Sequence, residues 1–134
     1  MFIIDYIGVK VFGMKIQDLK PRKNVNLLFK VIEKKDERTT RDGRRVSEAV
    51  VGDETGIVYM TLWEDEIDSV EVGKTYSLRD GYVTLFRGSM RLVIGRNGVL
   101  EEAEEDIDNI RMDNNLSLRI FPDYRGGRYR GRRR

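Results

Sequence analysis

The chain has 134 residues, 40% hydrophobic and 36% charged, which suits one globular domain with a tail. It contains no cysteine and no histidine, so disulfides, the usual zinc sites and every nucleophile or base that needs a thiol or an imidazole are excluded. The net charge of +2 hides an asymmetry: residues 119–134 hold seven Arg and one Asp, whereas residues 1–118 hold 18 basic and 22 acidic side chains.

The opening "MFIIDYIGVKVFG" is apolar over only 13 residues, carries Asp5 and Lys10, and lacks a basic start or a small-residue cleavage pattern, so it fits neither a membrane span nor a secretion signal. A cytoplasmic protein is expected. From Val25 the run "VNLLFKVIEKK" puts Val25, Leu27, Phe29 and Val31 on one parity, as in a half-buried strand. "ERTTRDGRR" follows, with Asp42-Gly43 as a turn dipeptide, and "VSEAVV" resumes a β-rich pattern, which predicts a long hairpin with a basic tip. "GDETG" supplies the next turn; its Asp53 and Glu54 have no matched third ligand, so a tight hairpin is expected there rather than a metal site.

"IVYMTLW" alternates, with Val58, Met60 and Leu62 opposing Ile57, Tyr59, Thr61 and Trp63. The acidic "EDEIDSVEVGK" predicts a short helix or turn, and "TYSLRDGYVTLF" the following strand. Leu78 and Val83 differ in parity, so if both face the core the alternation slips between them, at a bulge or bend beside Gly81. Arg87-Gly88 is the expected turn into "SMRLVIG", where Met90, Leu92 and Ile94 oppose Arg91 and Val93. Five short strands with turns between them and no long helix predict an all-β protein, a small Greek-key barrel. "VLEEAEEDIDNIRMDNNLSL" reads as a closing strand that passes into helix or loop, with six acids in residues 101–108 forming a solvated face. "FPDYRGGRYRGRRR" lacks the apolar residues to offset ordering entropy and is expected to be flexible when unbound.

If Val83 and Leu85 face the core, Tyr82 and Phe86 face away from it, as Trp63 does on its own strand. Rings on an outer barrel face beside a basic hairpin suit stacking of exposed bases while cations follow the phosphates. The candidate stacking residues are Trp63, Tyr82 and Phe86, with Tyr59 as a fourth for which packing stays equally open. The candidate phosphate-attracting residues are Arg41, Arg44 and Arg45 on the hairpin, Arg87 beside Phe86, and Arg125, Arg128 and Arg130 in the tail.

"MKIQDLKPRKNVNLLFKVIEK", "VGDETG", "TLW" and "GYVTLFRG" together resemble the archaeal single-stranded DNA-binding proteins with one OB-fold. They also resemble the related DNA-binding subunit of the animal sensor of single-stranded DNA complex. The resemblance spans about residues 14–98, implies a five-stranded OB-fold, and assigns base stacking to the positions of Trp63, Tyr82 and Phe86. The animal relatives carry a further aromatic where this chain has Val93. The expected organisation is an extension or upstream start at 1–13, an OB-fold domain at 14–100, an acidic connection at 101–118 and a basic Arg/Gly-rich tail at 119–134. The expected function is sequence-tolerant binding and protection of single-stranded DNA in replication, recombination or repair, by a monomer that associates with the nucleoid and with DNA-processing proteins. No catalysis and no cofactor are expected. Single-stranded RNA binding, as in RNA-chaperone or translation-related modules, is the alternative, since stacking does not tell ribose from deoxyribose.

Overall fold

The alternation that begins at Val25 sets the first strand: in β1 (Asn24–Lys34) the side chains of Val25, Leu27, Phe29 and Val31 point inward and are buried. The computed structural model describes residues 13–122. The chain continues through a short β2 (Arg38–Thr39), β3 (Arg45–Asp53), β4 (Gly56–Trp63), a one-turn helix α1 (Asp65–Asp68), β5 (Thr75–Phe86), β6 (Ser89–Val93) and β7 (Val99–Glu102). The strands are hydrogen-bonded in the order β1-β3-β4-β6-β5, and β5 returns to β1, so five strands close into a barrel. All the contacts within the ring are antiparallel except β4–β6. The expected Greek-key barrel is present, with β2 and β7 added at its edges.

Closure does not come from the segment after Gly98. β7 pairs only with the half of β5 from Tyr76 to Arg79, and the ring closes instead through β1. Three acids of β7 and the segment after it are drawn onto neighbouring cations: Arg79 pairs with Glu101, Lys74 with Glu102 and Lys30 with Asp106.

The parity slip lies where the two apolar registers of β5 collide. Val25 faces Gly81 and Leu27 faces Leu78, so β5 spends one residue more than β1 over this stretch. Asp80 takes up the irregularity with φ 56°, its N–H donating to Asn26 Oδ1 at 3.0 Å, and both Leu78 and Val83 reach the core. A Cβ on Gly81 would stand 2.5 Å from Leu78 Cδ2, and Leu78 is fully buried. Gly81→Ala is therefore expected to cost about 1 kcal/mol of stability through overpacking. Parent-like resistance to urea in that variant would show that Leu78 moves aside freely.

Three further devices shape the barrel. Arg87 and Gly88 both have positive φ, 53° and 83°, which makes a tight hairpin whose twist matches its strands. The α1 segment plugs one end with Ile67 and Val70, and Lys34 Nζ donates to the carbonyls of both, at 2.7 and 2.8 Å. Near the other end, Asp53 is buried and accepts from Ile16 N–H at 3.0 Å, Thr55 N–H at 2.8 Å and the Thr55 hydroxyl at 2.7 Å. "GDETG" is thus a tight hairpin, with the Asp53 carboxylate held by three donors and Glu54 paired with Lys15. Among the described residues no cluster of acids is arranged to hold a metal, and no helix is long and apolar enough to cross a membrane.

After β7 the chain crosses back over the barrel. Pairing between β4 and β6 covers only Tyr59 to Thr61 against Arg91 to Val93, and Ser117 stitches the next step of that seam. Its hydroxyl accepts from Tyr59 N–H at 2.9 Å and donates to the Met90 carbonyl at 2.5 Å. Leu116 beside it is buried in the core, and Phe121 N–H donates to the Gly88 carbonyl at 3.0 Å.

Candidate nucleic-acid interface

Residues directly opposite one another in a sheet share a face, so strand register places the candidate side chains. Thr61 lies across from Val93, which lies across from Tyr82; Tyr59 lies across from Arg91, which lies across from Thr84. Trp63 is two residues from Thr61, and Phe86 two from Thr84. Trp63, Tyr59, Tyr82 and Phe86 accordingly share the outward side of β4 and β5, opposite the buried row of Met60, Leu92 and Val83. Phe86 is 53% exposed and the other three rings are half-buried.

Between this face and the β2–β3 hairpin runs a groove of about 610 Å³. Trp63 and Phe86 line it, with Thr61, Thr84 and Val93 between them; Tyr59 and Tyr82 lie on the same face outside its walls. A chain of unstacked bases fits such a groove, because the rings offer flat apolar area and the small side chains between them leave room.

The hairpin arginines have different surroundings. The guanidinium of Arg44 lies over the Trp63 ring, 4.1 Å from its centre, with its Nε 3.8 Å from Glu64. Arg45 is engaged on two sides, donating to Glu37 at 3.0 Å and to Asp68 at 3.1 Å. Its hydrogen bonds hold both carboxyls below their usual range, and theirs push its own pKa up. Arg41 sits exposed in the hairpin tip, and Arg87 lies 5.2 Å from the centre of the Phe86 ring. Arg125, Arg128 and Arg130 lie outside the described residues, as does most of the expected N-terminal extension.

Three cations of the groove were not singled out by sequence. Lys35, just past β1, and Arg38, on β2, line it, and Arg91 lies between Tyr59 and Phe86, 5.2 and 5.3 Å from their ring centres. Arg91 is also ion-paired with Glu48 of β3, across the intervening β4. The parity of Arg91 with Val93 marked it as outward, but only the parallel β4–β6 register brings it beside Tyr59.

A closed five-stranded barrel of this strand order, with a helical plug between β4 and β5 and an aromatic outer face, is an OB fold. The family described as "Single-stranded DNA binding protein Ssb-like, OB fold" matches residues 19–102, and the chain belongs to it. The single-stranded DNA binding protein Ssb of Saccharolobus solfataricus is 38% identical over 96 residues, an alignment that spans 69% of this chain and 65% of that relative's length. Among solved structures, a hypothetical protein from Arabidopsis thaliana superposes with a TM-score of 0.70 at 30% identity, covering 81% of this chain and 84% of the other. An OB domain from Methanosarcina mazei superposes with a TM-score of 0.58 at 31% identity, covering 70% and 85%.

Proposed function

We propose that the protein binds and protects single-stranded DNA with little sequence preference, in replication, recombination or repair, and performs no chemistry on it. The observation that carries this reading is the placement of four aromatic rings on one outward barrel face, with cations on and beside it. Trp63, Tyr82, Phe86 and Tyr59 stack bases; Arg41, Arg44 and Arg87 attract phosphates, and Arg125, Arg128 and Arg130 in the basic tail add to the attraction. Arg45, matched by two acids, holds the hairpin against α1 instead. Membership of an Ssb-like family supports the DNA ligand and agrees with a role without catalysis; a DNA ligand goes with a nucleoid-associated protein of the cytoplasm, which is the location we propose.

Competition at one fixed salt concentration among a DNA single strand, its RNA equivalent and the DNA duplex tests this. The single DNA strand is expected to win, because a duplex hides the base faces and offers only phosphates. Duplex binding as tight as single-strand binding would overturn the stacking mechanism. RNA outcompeting DNA would keep the mechanism and change the ligand.

A further inference from the structure

Arg91 lies within the aromatic face, between Tyr59 and Phe86, and its guanidinium is only partly used. Nε donates to Ser89 Oγ at 3.2 Å and Nη1 donates to Glu48, while Nη2 has no acceptor among the described residues. The side chain is 18% exposed and lines the groove, with Tyr59 and Phe86 flanking it. Four neighbours therefore fix a donor-only group in one orientation. That is unlike a cation that tracks phosphates from a mobile stem, such as Arg41 at the exposed hairpin tip.

Taking the face as a stacking platform for bases, we propose that Arg91 selects bases that carry a carbonyl. Its spare N–H groups donate to the carbonyl oxygen of thymine, cytosine or guanine, the acceptor type that arginine forks contact on guanine. Adenine has no carbonyl, and on the edge where guanine has one it presents an amino group, itself a donor. Glu48 is the positioning residue: it holds the guanidinium in place and offsets its charge. A carboxylate on a surface that meets a polyanion is otherwise unfavourable, which gives its presence there a reason. The rule differs from one set by stacking strength alone, because stacking groups guanine with adenine whereas a carbonyl reader groups it with the pyrimidines.

Short homo-oligonucleotides of adenine, thymine, cytosine and hypoxanthine, a purine with the guanine carbonyl, separate the two rules. They are titrated in lithium chloride, which suppresses four-stranded association. The parent protein is expected to bind the hypoxanthine strand with the pyrimidine strands and above adenine. In Arg91→Lys, which keeps the charge and loses the fixed fork, the hypoxanthine-to-adenine affinity ratio is expected to fall about tenfold, the value of one charged hydrogen bond. Glu48→Gln supplies a second reading if that variant folds poorly: the ratio falls, yet affinity for thymine strands is retained because a repelling carboxylate has gone. Variants that weaken every strand by one common factor would overturn the proposal and leave the single-strand reading intact. A parent protein that binds none of the strands would overturn both.

Discussion

Replacing Trp63 and Phe86 together with alanine is expected to weaken single-strand binding by about 1 to 5 kcal/mol while leaving the barrel folded. Each ring stacked on a base contributes about 1 to 3 kcal/mol. The two rings lie on strands separated by β6 and are offset by roughly 20 Å along the strand direction, so their losses add. The Trp63 contribution is reduced by what it replaces: Arg44 already covers the ring at 4.1 Å, and that contact is worth about 0.5 to 1 kcal/mol at an exposed site. Stability changes little, because Phe86 is half-exposed and neither ring belongs to the buried core. Fluorescence-anisotropy titration beside a urea melt reads both quantities. A double variant that binds like the parent would refute the stacking assignment.

Asp53→Ala is expected to cost about 3 to 5 kcal/mol of folding stability, without bearing on the ligand face. Three donors converge on this buried carboxylate, and leaving a buried donor unmatched costs about 1 to 3 kcal/mol. The Ile16 N–H is buried with it, whereas the Thr55 groups lie in a part-buried turn where water partly replaces the acid. Asp53→Asn is expected to lose less, since its carbonyl oxygen still accepts while its amide meets donors. Equilibrium urea unfolding measures both. An alanine variant as stable as the parent would mean that the turn and the Ile16 segment rearrange around the gap.

The alternation of single strands was legible because burial on one side is a property of each strand alone. That logic placed Phe29 inside and Trp63, Tyr82 and Phe86 outside, and the clash between the parities of Leu78 and Val83 located the bulge beside Gly81. What depends on two strands distant in sequence was not legible. The closure of β1 on β5, the edge position of β7 and the place of Arg91 beside Tyr59 all follow from register across the sheet, which no single segment encodes. Charge was misleading for the same reason: Arg45 looks like Arg44 in sequence, yet one is locked between Glu37 and Asp68 while the other lies on Trp63. Ser117 gave no signal, being a lone serine in a weakly patterned segment.

That serine changes what counts as the working unit. The family match ends at residue 102, but the β4–β6 seam beneath Tyr59 and Arg91 is secured by a hydroxyl fifteen residues further on. A fragment trimmed to the matched span would keep every ring and lose the fastening between the two strands that carry Tyr59 and Arg91. The opening free energy of that seam then becomes a quantity that the C-terminal segment sets and a bound strand raises, so amide exchange at Tyr59 reports on the segment and on the ligand at once.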